Sequence, residues 1–581
     1  MNTLDLHSII IKYYPNFTKL SKWKKKLYLS VFSRVIYLDA INKILEQNYD
    51  VFGIHFIENL FEQLNFSYNV SNKDVRKIPA EGRLIIVANH PIGSLDGLAM
   101  LKLVSEIRED VKIIANSILY EIENLRNLFL PFNLDSKLVQ RENIKAIDDA
   151  LQKEQAIIIF PAAEVSRLKF YHITDSKWHK GAIHFARKNN TPILPIFIDA
   201  KNSMLFYLAS AVSKYFSRFL LVHELFNKKN KTISIKIGNP IPAKVFSTHI
   251  IEDQAQLALL KKHVMRIRKD KKGVFITEKN IIHPIPRKFI KRELINSELI
   301  GETSDRKKIY LCEYSKAPNT LNEIARLREV TFRKVGEGTG NKLDIDRFDK
   351  IYKHIVVWDD NDLEIVGAYR LGLGSELMNE FGIKGFYTST LFKYSEDFVN
   401  TYLNSSLELG RSFIQKKYWK TNALHYLWQG IGAFLYKHPE VKYMFGGVSI
   451  SKNYNQTATE MIVYYYSKWY GDTSDKVHPN KKFRISSKTQ ANLVVEFVGT
   501  TPSEDYKILK NMLKPFGFSV PTLYKQYTDL CEIDGVKYLD FGVDDSFEMC
   551  VDGFILIDVQ KITKEKRLRY IDIHSGKQEV A

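Results

Sequence analysis

The sequence predicts an α/β chain built as two domains. Three observations carry this. Short, β-branched apolar runs alternate with amphipathic helical stretches. The alternation occurs twice, on either side of a charged segment that carries Pro284 and Pro286. The chain also has 581 residues, well beyond one domain of about 100–200 residues.

Residues 1–75 read as a helical N-terminal region, with apolar residues at three- and four-residue steps through 27–45 and 54–64. Within it, Lys19, Lys22, Lys24, Lys25, Lys26 and Arg34 are interleaved with Leu20, Trp23, Tyr28 and Tyr37. Such a basic amphipathic stretch suits an anionic lipid interface, or equally a helix that packs its apolar side on the domain. Residues 76–270 read as the first α/β domain. Its strands are 84–88, 111–115, 156–160, 193–198 and 233–237, and its helices cover 144–153, 180–188 and 257–268. Residues 271–305, charged and with little periodicity, read as a linker. Residues 306–581 read as the second α/β domain. Here 321–332 is a helix, 355–358 and 365–371 form a hairpin, and 402–413 is a strand. A helix over 423–437 leads to a strand at 441–445, ahead of Gly446-Gly447.

Composition narrows the partners. Lys plus Arg number 85 and Asp plus Glu 66, a formal charge of +19, which points to an anionic partner: nucleic acid, a membrane surface or an acidic protein. Cys312, Cys531 and Cys550 lie far apart without C-x-x-C spacing, so a disulfide framework and a structural zinc site are not expected, and a reducing cytosol fits. No signal peptide is expected, nor any run of roughly 18 apolar residues that would span a bilayer. A nucleic-acid-binding protein remains the alternative of another class; it lacks a recognition helix, an RNA-binding sheet signature and zinc spacing. A non-catalytic membrane adaptor would require both sites described next to be dead.

The first candidate site is Asn89-His90-Pro91-Ile92-Gly93-Ser94-Leu95-Asp96. His90 follows a buried strand, where ligands bind in open α/β sheets. Pro91 and Gly93 force a turn that can return Asp96 toward His90. A carboxylate on one ring nitrogen makes the other a stronger base, able to deprotonate a hydroxyl for attack on an acyl carbonyl. The plain alternative is a surface histidine beside an unrelated helix cap. Phe160-Pro161-Ala162-Ala163-Glu164-Val165-Ser166-Arg167 follows another strand in the same way, and Trp178-His179-Lys180-Gly181 and Pro192-Ile193-Leu194-Pro195 come after it.

In this order the blocks resemble the glycerolipid (lysophospholipid) acyltransferase family over roughly 75–250. The resemblance implies that His90 is the general base and that Asp96 orients it. It also implies that Asn89, Arg141, Glu164 and Arg167 contact substrate, Arg141 standing for the second block. The His–Asp gap is one residue longer than the family's, and Ala162-Ala163 separate Pro161 from Glu164. The altered block points away from a phosphate-bearing acceptor and toward the branch that acylates lyso-ornithine lipid and related aminolipids.

The second candidate site gathers Arg328 with Phe332, then Asp344, Asp346 and Asp349 around Phe348, Arg370, and Glu408 with Arg411. Strand alternation places Glu408 and Arg411 on opposite faces unless Gly410 marks a bulge, in which case they pair. Carboxylates there can hold an ammonium and accept its proton, freeing an amine to attack a thioester; solvated hairpin charges are the plain alternative. Arg328-x-x-x-Phe332, Asp346-x-x-Asp349, Arg370 and Glu408-x-x-Arg411 are similar to N-acyltransferases related to acyl-homoserine-lactone synthases, of GNAT-like fold. The ornithine N-acyltransferase branch is the nearer likeness, over roughly 306–560. The likeness implies catalytic roles for Glu408 and Arg411, substrate contacts for the rest, and 3-hydroxyacyl groups delivered on acyl carrier protein. Gln429-Gly430-Ile431-Gly432-Ala433 keeps helical spacing, so its glycines read as close helix packing rather than a cofactor loop.

Together these imply a bifunctional aminolipid synthase on the cytoplasmic face of the inner membrane, with no permanently bound cofactor or metal. Its C-terminal domain would N-acylate an amino acid, ornithine first, with glycine or serine-glycine as alternatives. Its N-terminal domain would esterify the 3-hydroxyl of the lyso-lipid, drawing on carrier-protein thioesters. Its partners would be acyl carrier protein and an anionic membrane, not nucleic acid.

Overall fold

The structure is a computed structural model. It describes residues 17–18, 21–35, 37–116, 122–132, 137–169, 172–212, 214–247, 251–545 and 549–575. The chain divides into two compact units, Met1–His283 and Pro284–Ala581.

The first unit begins with helices α1 (Lys22–Val35), α2 (Leu38–Gln47) and α3 (Ile54–Gln63), then β1 (Ser67–Asn69) and α4 (Asn72–Val75). Strand and helix then alternate through β2 (Leu84–Ala88), α5 (Ser94–Ser105), β3 (Val111–Asn116), β4 (Phe129–Phe132), α6 (Lys137–Gln152) and β5 (Ala156–Ile159). A ribbon, β6 (Arg167–Lys169) and β7 (His172–Thr174), precedes α7 (Gly181–Lys188), β8 (Ile193–Asp199), α8 (Met204–Val212), α9 (Lys214–Asn227), β9 (Thr232–Ile237) and α10 (Asp253–Ile267). The sheet order is β1-β9-β8-β2-β5-β3-β4, parallel except between β8 and β9. Because the central strands are apolar on both faces, both must be covered. Leu84, Ile86 and Ala88 pack with Phe56 and Ile57 of α3 and Leu98 of α5. Ile85 and Val87 pack on the other side with Leu151 of α6, Ile183 of α7 and Leu260 of α10.

The second unit opens with α11 (Arg287–Ile295), β10 (Glu298–Glu302), β11 (Lys308–Glu313), α12 (Pro318–Val335), β12 (Lys353–Asp359) and β13 (Glu364–Leu373). Then come α13 (Gly374–Phe381), β14 (Phe392–Tyr394), α14 (Glu396–Tyr402), β15 (Ser406–Ile414), α15 (Ala423–Lys437) and β16 (Tyr443–Ile450). It closes with α16 (Gln456–Tyr470), β17 (Val477–Pro479), α17 (Ser487–Glu496), α18 (Pro502–Leu513), α19 (Thr522–Thr528), β18 (Val536–Asp544), β19 (Cys550–Asp558) and α20 (Lys564–Tyr570). Eight strands run β10-β11-β12-β13-β15-β16-β19-β18, and among them β15–β16 is the parallel pair. That pairing stops after Glu408 meets Phe445, so the two strands part beyond it. Gly446 marks the point of parting: a Cβ there would lie 2.2 Å from the Leu409 carbonyl oxygen. Ile355, Val357, Tyr369 and Leu371 face α15 and α16, while Val356, Trp358 and Ala368 face α11 and α12.

The segment expected as a linker, 271–305, contains α11 and β10, and β10 begins the second sheet. Ile290 and Leu294 are the buried residues of α11, too few to register as periodicity until Leu321 and Ile324 of α12 receive them. The strand expected over 402–413 begins at Ser406, since α14 runs to Tyr402 after the Ser395 hydroxyl caps the Phe398 amide. The Gly430–Gly432 stretch lies inside α15, as its spacing predicts. Among the described residues no helix is long and apolar enough to cross a membrane, and no group of His, Cys, Asp and Glu is placed to hold a metal.

Close helix packing at Gly432 yields a prediction. A Cβ there would come 1.8 Å from the Tyr570 carbonyl oxygen. The overpacking cost, roughly 1–3 kcal/mol, exceeds the helix propensity that alanine gains. Gly432→Ala should therefore lower the stability of the C-terminal unit, read as an earlier urea midpoint. An unchanged midpoint would contradict the seating of α20 on α15.

Candidate active sites

In the first unit, β2 ends at Ala88 and the chain turns at Gly93, whose φ of +98° suits glycine, before α5 begins. Asp96, with no exposed surface, lies in the first turn of α5. Its Oδ2 accepts the amides of Ile92 (3.0 Å) and Gly93 (3.3 Å), and its Oδ1 lies 3.1 Å from His90 Nδ1. The His90–Asp96 contact is off the line of a good hydrogen bond, so it acts chiefly as an ion pair. The one-residue-longer gap is absorbed in the turn that these two amides close. The His90 ring stacks on Phe160 at 4.3 Å.

A second carboxylate, Asp175, braces the histidine from behind. It accepts the His90 amide (3.4 Å), the Ser166 hydroxyl (2.5 Å) and the Trp178 indole N–H (3.0 Å). The Ser166 amide in turn donates to the His90 carbonyl at 2.7 Å. Burial disfavours the imidazolium, but Asp96 and Asp175 outweigh it and hold His90 above its ordinary pKa. With Nδ1 turned to Asp96, Nε2 is the nitrogen available to take a proton.

In the second unit, Asp346-Arg347-Phe348-Asp349 forms a capped 3₁₀ turn. Asp346 Oδ1 accepts the amides of Phe348 (2.8 Å) and Asp349 (3.2 Å), and Asp349 Oδ2 accepts the Asp346 amide (2.8 Å). This local chemistry presents two carboxylates to three arginines, of which Arg328 and Arg370 are buried and Arg411 half-buried. Arg328 of α12 grips Asp349 at 2.8 and 3.0 Å and meets Asp344 at 3.1 Å. Arg370 of β13 binds Asp346 at 2.8 Å and approaches Asp349 at 3.4 Å. Arg411 of β15 meets Asp344 at 3.4 Å and Asp346 at 3.9 Å. Three guanidinium groups and three aspartates thus close a balanced ring. Arg370 Nε and Nη2 have no acceptor among the described residues, and its guanidinium lies over the rings of Tyr352 (5.3 Å) and Tyr387 (5.1 Å) instead.

A bulge is present, one residue later than Gly410. Gly410 pairs with Arg370 and Phe413 with Ala368, so Arg411 and Ser412 both oppose Tyr369. Arg411 itself takes the left-handed conformation, φ +52°, a strained choice for a side chain of its size and one found at functional sites. Glu408 and Arg411 do not form an ion pair; Tyr387 joins them. Glu408 accepts the Tyr387 amide (2.9 Å), the Thr388 amide (2.7 Å), the Thr388 hydroxyl (2.5 Å) and the Tyr352 hydroxyl. Arg411 Nη2 donates to the Tyr387 hydroxyl at 3.4 Å. Burial raises the Glu408 pKa, against the pull of its donors.

Comparison with known proteins places this geometry. Residues 327–429 match the acetyltransferase (GNAT) domain model, and residues 16–275 match an acyltransferase model. The glycine N(alpha)-acyltransferase of Bacteroides thetaiotaomicron is 34% identical over 303 residues, 50% of this chain and 89% of that protein. The chain belongs to the N(alpha)-acyltransferase family. The lyso-glycine lipid O-acyltransferase of the same organism is 28% identical over 235 residues, 39% of this chain and 85% of its own length. The L-ornithine N(alpha)-acyltransferase of Rhizobium meliloti is 33% identical over 125 residues, 21% of this chain and 41% of its own. The protein is an acyltransferase, with an acyltransferase-like first unit and a GNAT-like second unit.

Several expected substrate residues of this acyltransferase have structural employment. Asn89 uses its amide to bind Ile198 N (2.8 Å) and O (2.9 Å), fastening β2 to β8. Phe332 is buried in the core beside Trp358 and Phe413. Arg141 is exposed on α6 and makes no hydrogen bond or ion pair among the described residues. Glu164 and Arg167 lie 3.5 Å apart, after Ala163 turns at φ +54°. Asp175, Tyr352 and Tyr387 escaped the sequence reading. Their bonds to His90 and Glu408 span 21 to 85 residues of the chain, so no local pattern marks them as part of a site.

Two predictions concern the arginine ring. Arg370→Met should cost the C-terminal unit roughly 3–5 kcal/mol, since it leaves buried carboxylates unanswered, measured by denaturant unfolding. His354 is buried beside Asp349 and its pKa falls from 6.5 to about 3, chiefly through burial. The unfolded chain binds that proton below pH 6.5 and the folded chain does not, so stability should decline as pH falls through this window. His354→Gln should flatten that part of the profile, and a slope unchanged by the substitution would refute the assignment.

Proposed function

We propose that this chain makes an aminolipid in two acyl transfers. The second unit N-acylates an amino acid with a 3-hydroxyacyl group, and the first unit esterifies that hydroxyl with a second acyl chain. The supporting observation is the pairing of two sites in one chain: a histidine–carboxylate base and an arginine–aspartate acyltransfer site, the first reaction's product being the second's acceptor. Joining them raises the effective concentration of the intermediate. Glycine is the acceptor favoured here, because the glycine N(alpha)-acyltransferase likeness extends over 89% of that relative and the ornithine likeness over 41%.

In the first transfer, the amine forms a C–N bond with the thioester carbon as the C–S bond breaks. In the second, His90 Nε2 takes the hydroxyl proton, the oxygen forms a C–O bond with the thioester carbon as the C–S bond breaks, and the departing thiolate takes the proton back from His90. The donor proposed is acyl carrier protein, an acidic partner that suits the +19 chain. The proposed place is the cytoplasmic face of the membrane. Trp23 among the lysines of α1, and Met204, Leu205 and Leu208 on α8, are more than half exposed. The buried side of α8, Phe206 and Tyr207, packs on Val165, which lies against Gly93 of the His90 turn. An acceptor held in the lipid surface would therefore meet the base one helix away.

Expression in a host that lacks aminolipids, with mass spectrometry of the extracts, tests this reading. Wild type should give the doubly acylated lipid. His90→Ala should slow O-acylation about 10²–10⁴-fold and accumulate the lyso-lipid. Glu408→Ala should abolish both products, because residues 387–388 lose their anchor. Full lipid from His90→Ala would defeat the assignment, and ornithine in the product would replace glycine. Since His90 sits above its ordinary 6.5, the acid limb of O-acylation should have its midpoint above pH 6.5, measured as initial rate against pH.

A further inference from the structure

The second unit holds carboxylates that the arginine ring does not consume. Asp552 lies on β19, opposite Ser449 of β16 and Gly542 of β18. It is 4% exposed; its carboxylate bonds the Ser449 side chain, while Oδ1 has no hydrogen-bond partner among the described residues. A Cβ on Gly447 would come within 4.0 Å of both Asp552 Cγ and Thr388 Cγ2. Asp552 therefore stands over the parting of β15 and β16, beside the 387–388 segment that Glu408 anchors.

Glu337 enters from α12. The helix ends with Gly336 at φ +82°, and the Glu337 amide returns to the Phe332 carbonyl at 2.8 Å. Gly336 is pressed against the β16–α16 loop, where a Cβ would lie 2.5 Å from Asn453 Nδ2, so the position of the next residue is closely determined. The Glu337 carboxylate makes no hydrogen bond or ion pair among the described residues.

The charge count gives this corner its character. The arginine ring balances itself. Asp552 and Glu337 add negative charge, with Asp544 close to Asp552, and the cation acting on both is Arg411, already shared by Asp344 and Asp346. A buried carboxylate with an open oxygen is costly until a donor arrives. The donor that fits beside a thioester-transfer site is an ammonium group.

We propose that Asp552 and Glu337 receive the α-ammonium of the amino-acid acceptor, and that Glu337 takes its proton. The proposal rests on the N-acylation reading above. The ammonium gives one proton to the Glu337 carboxylate. The neutral nitrogen forms the C–N bond with the thioester carbon, the C–S bond breaks, and the leaving thiolate takes a second proton from that nitrogen. The products are an amide and a thiol, and Glu337 returns its proton to solvent.

The electrostatics agree. Burial, then Asp552, raises the Glu337 carboxyl to about 7 against the pull of Arg411. Burial raises Asp552 to about 6. The other titratable groups facing them are Cys550, Tyr454, Tyr524 and Tyr387; burial pushes all four up, Cys550 and Tyr387 to about 12. A limb near neutral pH therefore belongs to the two carboxyls.

The test uses the full chain, a 3-hydroxyacyl thioester of acyl carrier protein, and glycine or ornithine, with N-acylation rates followed from pH 5.5 to 9. Glu337→Gln should lower kcat about 100-fold and remove the acid limb near pH 7. Asp552→Asn should raise the amino-acid KM about tenfold, with kcat changed less. Glu337→Asp, which keeps the carboxylate, should retain the limb, separating proton transfer from packing. An active wild type whose Glu337→Gln variant keeps both rate and limb overturns this inference alone. A wild type that acylates neither amino acid overturns the N-acylation reading, and this inference with it.

Discussion

Three guanidinium groups and three aspartates, four of the six buried, lock together α12, β13, β15 and the turn at 347–350. Arg328, Arg370, Asp344 and Asp349 have been taken out of water, so each must be answered by an opposite charge or the fold loses several kcal/mol. That requirement decides where the arginines point and how closely the elements approach. It also explains the strained backbone at Arg411. A regular strand would carry Arg411 away from Asp344 and Asp346, and the bulge turns it back. With Arg411 so placed, Tyr387 lies under its guanidinium, and the anchored 387–388 segment lines the parting of β15 and β16.

The first unit obeys the same rule on a smaller scale. His90 is shielded by Phe160 and answered by Asp96 on its ring and Asp175 at its backbone. One carboxylate sets the tautomer and the other sets the position, so the base is held from two sides without being neutralised. Both units use the same device of a polar group placed where strand pairing ends: at the carboxyl end of β2 in one, and where β15 leaves β16 in the other.

Much of this was legible along the chain. Strand 84–88 and helix 423–437 match their structural bounds, because buried strands and long amphipathic helices leave clear periodicities. Asp346-x-x-Asp349 was legible as a pair because its capping is local. Asn89 and Phe332 were expected at the substrate through the family resemblances; the partners the structure gives them, Ile198 and Trp358, lie far along the chain and were invisible to spacing. Helix α11 was hidden for a related reason, as two buried residues in nine make no pattern without the helix that covers them.

By itself, the sequence determined the α/β class, the two-unit organisation and the chemical type of each site. Those depend on local periodicity, turn residues and short motifs. The tertiary structure alone decided which groups meet: Asp175 behind His90, Tyr387 between Glu408 and Arg411, and Arg411 against Asp344 and Asp346. Electrostatic pairing and burial act between residues that are close in space, and proximity across tens of residues is a property of the folded chain.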